Sequence, residues 1–173
     1  CITHTLTQLA ALSVSNYDGY QLTVFPPNLL RLKVCLKMPY HQVWSRYEFP
    51  LSLQKLDMKI SFPHCHPIDL VLQPLTTLSR LQKLNIHRVL LKEPESCFPD
   101  FKHWPHLTSL HLCVATVKMA HQILSAVPTI QWHKLNIKIN YGQEQPGMFG
   151  GLEDADWGNL KKLEMDFVDF AIH

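Results

Sequence analysis

Three consecutive residues, His64, Cys65 and His66, are the strongest candidates for metal chemistry in this chain. Imidazole nitrogens and a thiolate are ligands that zinc prefers. A structural zinc site needs four ligands, and the sequence suggests no fourth beside these three. Pro63 and Pro67 flank the run and restrict its backbone. We therefore predict that the chain holds no metal and no cofactor, and that these histidines are exposed or hydrogen-bonded.

Cys113 is the candidate nucleophile, because His111 and His87 would approach it if their segments were neighbouring strands. A cysteine nucleophile needs a base within hydrogen-bond reach and a group that stabilises an oxyanion. No glycine loop or helix start is suggested near these residues, and neither G-x-S-x-G nor H-E-x-x-H occurs in the chain. We predict that the chain has no catalytic residues and is not an enzyme.

Basic side chains recur at one position of a repeated pattern. In five segments a cation immediately precedes a leucine, and we name these five the basic column: Arg31, Lys55, Lys83, Lys134 and Lys162. Three further lysines follow within the same segments: Lys33, Lys59 and Lys138. Clustered positive charge raises the local potential and favours an acidic or phosphorylated partner. The alternative is that these lysines only keep an exposed surface soluble.

The elements that would position these cations are seven copies of the pattern apolar-x-x-apolar-x-apolar. The central leucines follow one another at 20 to 28 residues and are Leu12, Leu32, Leu56, Leu84, Leu110, Leu135 and Leu163. The alternation predicts a strand in each copy, near residues 10–15, 30–35, 54–59, 82–87, 108–113, 133–138 and 161–166. We expect the leucines to be buried in one line and the basic column to lie on the opposite, concave face.

The segments between the strands are expected to return along the convex side. Residues 66–78 and 116–126 are predicted to be helical, since Pro67 suits a first helical turn and the second segment has a regular apolar face. The other returns are rich in proline and aromatic residues, which favours extended or 3₁₀ structure. Residues 140–154 are predicted to form an irregular surface loop, and Trp44 is predicted to be a partly exposed anchor for a partner.

The hexads resemble those of the leucine-rich-repeat family over essentially the whole chain, because that family repeats this spacing every 20 to 29 residues. The resemblance implies an α/β solenoid with a parallel sheet of about seven strands on the concave face and short helices or irregular returns on the convex face. The irregular repeat lengths look like those of F-box proteins and other intracellular ribonuclease-inhibitor-like domains. The phrases FPPNLLRLKV and FPLSLQKLDM are also similar to repeats of intracellular plant immune receptors.

The composition is that of a soluble globular chain, with 173 residues, 46% hydrophobic content and a net charge of +2. No apolar run is long enough to cross a bilayer, and the start is unlike a signal peptide. The five cysteines are an odd number without a C-x-x-C pair. We therefore expect an intracellular protein, cytoplasmic or nuclear, with reduced thiols. Residues 1–173 are expected to form one leucine-rich-repeat domain without terminal caps, and hence a fragment of a longer protein.

The resemblance implies a protein–protein interaction module. In the F-box group the repeats select a substrate for a cullin-type ubiquitin ligase, and this is the function we expect here. The alternatives are a sensor domain of an intracellular immune receptor and a structural subunit of a large assembly. Asp57, Glu164 and Asp166 share the predicted concave face, and no aromatic side chains alternate with the lysines, which disfavours nucleic acid as the partner.

Overall fold

A computed structural model of the chain describes residues 9–17, 25–36, 48–60, 65–87, 89–94, 97, 100–125, 133–140 and 161–168. Seven strands lie at the predicted hexads: β1 (Ala11–Tyr17), β2 (Arg31–Leu36), β3 (Lys55–Ile60), β5 (Lys83–His87), β7 (Ser109–Val114), β8 (Lys134–Asn140) and β9 (Lys162–Val168). All neighbours in the order β1-β2-β3-β5-β7-β8-β9 are parallel. The fold is therefore α/β, with these strands forming one curled parallel sheet shaped like a half-barrel.

The central leucines of the hexads pair with one another from strand to strand along the whole sheet. Five of them are at most 2% exposed: Leu32, Leu56, Leu84, Leu110 and Leu135. Leu12 is only partly buried, because β1 pairs with a single described neighbour, β2. The side chain of Leu163 lies outside the described residues. The predicted line of buried leucines is thus confirmed in the middle of the sheet and weaker at β1.

The same backbone contact precedes each of five successive strands. One carbonyl in each repeat accepts hydrogen bonds from two consecutive N–H groups of the next repeat, at 2.8 to 3.1 Å; the accepting residues are Ala10, Leu30, Gln54, Gln82 and Thr108. Since the bonds recur at equivalent positions, these five strands begin in the same register. A shift by one residue would exchange the two faces of a strand. These bonds therefore hold four cations of the basic column, Arg31, Lys55, Lys83 and Lys134, on one face.

A tight turn leads into four of the hexads. The N–H of the first hexad leucine donates to the carbonyl three residues earlier, as from Leu29 to Pro26 at 3.2 Å and from Leu53 to Pro50 at 3.0 Å. Phe25 and Phe49 precede these two prolines, and their rings stack with centroids 5.5 Å apart. The phrases that begin with Phe-Pro are thus repeated turns whose aromatic rings pack on each other between repeats.

Two returns contain α-helices where the sequence predicts them. Helix α1 (Ile68–Leu72) passes into a 3₁₀ turn at Gln73–Leu75, because Pro74 has no N–H to continue the α-helical bonds. Helix α2 (Val117–Ser125) begins after Thr116, whose hydroxyl accepts from the Met119 N–H at 3.2 Å. A further 3₁₀ turn covers Phe101–His103.

Two short strands, β4 (Cys65–Pro67) and β6 (Leu90–Lys92), were not predicted. They pair with each other, and Leu91 pairs with Val114 at the end of β7. In the described part of the chain, neither helix is long and apolar enough to cross a membrane. Trp44 and residues 141–154 of the predicted loop lie outside the described residues, so their predicted roles stay predictions.

Candidate functional site

The basic column occupies one row across the sheet, on the face opposite the buried leucines, which we call the open face. Arg31 pairs with Lys55, Lys55 with Lys83, Lys83 with Ser109, Ser109 with Lys134, and Lys134 with Lys162. Lys55 is half-buried, and the other four cations are exposed. The structure therefore places the five predicted cations in one row, which is interrupted only at β7, where Ser109 occupies the equivalent position.

The three remaining predicted lysines lie farther along the strands on the same face. Lys33 pairs in register with Asp57, and Lys59 stands between Cys35 and His87. Lys138 pairs with Cys113 on one side and with Asp166 on the other. Cations and carboxylates therefore mix in these rows, whereas the row of the basic column contains no carboxylate among its paired residues.

Neighbouring cations in the basic column disfavour one another. Adjacent strands of a sheet are about 4.8 Å apart. Lys55 therefore has a cation on each side, Arg31 and Lys83, and like charges directly opposite each other are destabilising. A row of this kind lowers the stability of the folded chain, and a bound anion would relieve that repulsion.

The C-terminal end of the column carries its own counter-charge. The carboxylate of Glu164 contacts the ammonium groups of Lys162 and of Lys134, the latter at 3.6 Å. It also accepts a hydrogen bond from the Asn136 amide. The hydrogen bonds from Lys162 and Asn136 lower the pKa of Glu164 to about 2, so the carboxylate is ionised at neutral pH. Two of the five cations are thus partnered within the chain.

The N-terminal end of the column borders a cavity of about 410 Å³. Four cations line it: Arg31, Lys33, Lys55 and Lys83. Asp57 is the one carboxylate that lines it. In the described ion pairs, Asp57 contacts His87, with 3.5 Å between its Oδ1 and the Nε2 of the histidine. We call this the cation cavity. It was not predicted from the sequence, although the small side chains of Ala11 and Ser13 at equivalent positions of β1 are the signal for it.

His87 and His111 meet on the open face of the neighbouring strands β5 and β7, as predicted, although His111 pairs in register with Asn85. Their rings are tilted, with centroids 4.4 Å apart. Burial lowers the pKa of His87 against the opposing effect of Asp57. Burial also lowers the pKa of His111 to about 4, aided by the positive charges of His87 and Lys138. Both rings are therefore neutral at pH 7, so the contact of His87 with Asp57 is a weak polar contact there.

The lowered pKa of His111 predicts that the stability of the chain depends on pH. Below its ordinary value of 6.5, an unfolded His111 takes up a proton that the folded chain accepts only near pH 4. The unfolded chain therefore binds more protons in this window, and the free energy of unfolding should fall as the pH falls from about 6.5 to about 4. Denaturant titrations at several pH values measure this dependence.

Substitution isolates the contribution of His111. In His111→Gln the free energy of unfolding should vary less with pH over that window. The control is His103→Gln, a substitution at an exposed position, which should leave the pH dependence unchanged. Glu164, whose pKa is about 2, loses its own contribution mainly below the window. Equal pH dependence in His111→Gln and the parent would contradict the prediction.

Cys113 is not an activated nucleophile. Its side chain is 2% exposed, and burial raises the pKa of the thiol to about 12. A protonated thiol is a poor nucleophile at neutral pH. Of the candidate metal ligands, His64 and the side chain of Cys65 lie outside the described residues, and His66 is half-buried. Within the described ranges, no group of three or more His, Cys, Asp or Glu side chains is placed to hold a metal ion.

The chain matches no protein-family model, and it matches none of the curated proteins with which it was compared. The function of the open face must therefore be argued from its own geometry and charge.

Proposed function

We propose that this chain is a leucine-rich-repeat interaction module whose basic column binds an acidic segment of a partner protein. The observation that supports it is the register: repeats of different lengths still bring a cation to the same row of the open face. Seven hexads on seven parallel strands, with helical or irregular returns between them, are what a leucine-rich-repeat solenoid requires.

The chemistry favours an extended acidic or phosphorylated segment that crosses the strands. Each exposed ion pair is worth about 0.5 kcal/mol, so useful affinity requires the sum of several pairs along the row. Strands that are about 4.8 Å apart space the cations closely enough for one segment to meet several of them. Within this proposal, the most specific role is substrate recognition for an F-box-type ubiquitin ligase adaptor.

A sensor domain of an immune receptor is the second candidate, favoured by the recurring Phe-Pro turns at Phe25 and Phe49. The sequence encoded beside this chain discriminates between the two. An F-box helical segment supports the ligase adaptor, whereas a G-x-x-x-x-G-K-[ST] nucleotide-binding domain supports the receptor. Finding neither would favour a structural subunit of a larger assembly.

Reversing three charges of the column should abolish partner binding. In the variant Lys55→Glu, Lys83→Glu, Lys134→Glu, the row changes from attracting to repelling an acidic segment. Proteins captured by the immobilised parent chain and identified by quantitative mass spectrometry should be lost. Capture by the parent should also weaken steeply as salt rises, because exposed ion pairs are screened.

A matched variant separates the open face from overall charge. Arg80, Lys92 and Lys102 are exposed cations of the returns, and their replacement by glutamate changes the net charge equally. This control should retain the partners, and both variants should melt within about 5 °C of the parent. Unchanged capture by the open-face variant would refute the proposed function, and equal loss in both variants would reduce it to non-specific attraction.

A further inference from the structure

The two ends of the basic column differ in what their cations contact. Lys134 and Lys162 share the carboxylate of Glu164. None of the described ion pairs involves Arg31, Lys33, Lys55 or Lys83. The column is therefore not a uniform strip. At its C-terminal end two cations share one carboxylate. At its N-terminal end Arg31, Lys55 and Lys83 lie beside Lys33, and Asp57, the one carboxylate near these four cations in the cavity, has its described ion-pair contact with His87 instead.

The cation cavity exists because β1 carries small side chains where its neighbours carry long ones. Ala11 pairs with Arg31, and Ser13 pairs with Lys33. Both small residues are exposed and line the cavity of about 410 Å³. A volume of this size lies within the range of pockets that hold small ligand groups. The concave site is thus bounded by positive side chains on β2, β3 and β5 and open above β1.

The charge balance of the cavity calls for a compact, multiply charged anion. Four cations face one carboxylate, Asp57, which leaves three positive charges without a counter-charge in the cavity. A carboxylate side chain brings a single charge, whereas a phosphoryl group brings about −1.5 to −2 and three acceptor oxygens to one point. Arg31 supplies a planar fork that matches two phosphate oxygens, and the lysines add point charges around it.

We propose that the cation cavity binds a phosphoryl group, carried by a phosphorylated serine or threonine of the partner segment. This inference rests on the proposed function and makes it more specific: the phosphoryl group seats at the N-terminal end, and the rest of the segment runs along the column. Bound phosphate also relieves the repulsion among Arg31, Lys55 and Lys83, which the chain relieves at its other end with Glu164.

Two double variants test where the group binds. The probes are fluorescent peptide libraries of degenerate sequence with one central phosphoserine, or with serine in its place, titrated with the whole chain and followed by anisotropy. The phosphorylated library should bind at least about tenfold more tightly, as expected for charge-assisted hydrogen bonds. Arg31→Gln with Lys55→Gln should remove that preference. Lys134→Gln with Lys162→Gln should weaken the binding of both libraries alike and so leave the ratio of their affinities within about twofold of the parent.

Several outcomes overturn the inference. The first is that the two libraries bind the parent chain equally tightly. The second is that both double variants lose the preference for the phosphorylated library to the same extent. The third is that inorganic pyrophosphate binds more tightly than the phosphorylated library. The last result would assign the cavity to a free phosphate compound. Both double variants should melt within about 5 °C of the parent, because three of the four side chains are exposed and Lys55 is half-buried.

Phosphatase treatment separates this inference from the proposed function. Partners that are captured through the basic column should be lost after their dephosphorylation. Capture that survives phosphatase but not the triple charge reversal would leave the proposed function standing and refute the phosphoryl site. Capture that survives the charge reversal would refute both.

Discussion

Replacing Leu84 by aspartate is expected to destabilise this protein more than any other substitution we propose. Leu84 is 0% exposed and lies in the middle of the sheet, in register with Leu56 and Leu110. An aspartate there loses the packing of leucine and buries a carboxylate without a partner. The cost should be at least about 4 kcal/mol, which approaches the whole stability of many domains. Circular dichroism should show a midpoint lowered by about 10 °C or more, or no folded chain.

Two companion variants assign the cause of that loss. Leu84→Ala leaves a cavity but no charge and should cost about 2 to 5 kcal/mol. Gln82→Asp introduces the same charge at an exposed position two residues earlier and should change the stability by no more than about 0.5 kcal/mol. If Leu84→Asp melted like the parent, Leu84 would not face the core and the register of the sheet would be wrong.

Removing the indole of Trp104 is expected to have the second largest effect. The ring is 0% exposed, and its Nε1–H donates to the carbonyl of Leu75 at 2.8 Å. It also meets Phe101 edge-on, with ring centroids 5.6 Å apart. Trp104 thus joins two successive returns, and Trp104→Ala should reduce the free energy of unfolding by about 3 to 5 kcal/mol in denaturant titrations.

The conservative variant Trp104→Phe separates the hydrogen bond from the packing. It keeps an aromatic ring but leaves the Leu75 carbonyl without its donor, which should cost about 1 to 3 kcal/mol. The exposed neighbour His103 serves as the control, and His103→Ala should change the stability by no more than about 0.5 kcal/mol. Identical stability of Trp104→Phe and the parent would show that this hydrogen bond contributes nothing.

The strands were predictable because each is encoded within six consecutive residues. Apolar side chains at alternate positions specify both the strand and its buried face, and the recurrence of the pattern specifies that the strands stack in parallel. Helix α2 was predictable for the same reason, since its apolar face and capping Thr116 are local. The strands β4 and β6 were not, because their pairing joins short segments from different repeats.

The membership of the basic column was likewise determined by sequence alone. Each cation stands immediately before a central leucine, so any structure that buries those leucines in one line must align the cations on the other face. That His87 and His111 share the open face of neighbouring strands followed from the same alignment, but their contact is diagonal, because His111 pairs in register with Asn85.

Only the tertiary structure decided which of these cations are available to a partner. Glu164 contacts Lys134, which is 30 residues away in sequence, because β8 and β9 are neighbours, and Lys162 contacts the same carboxylate. The cation cavity depends on the contrast between Ala11 on β1 and Arg31 on β2. The alternation of side chains assigns a residue to a face, whereas distances between charges and the space left by small residues arise from side chains of different strands. Those quantities exist only once the strands are in place.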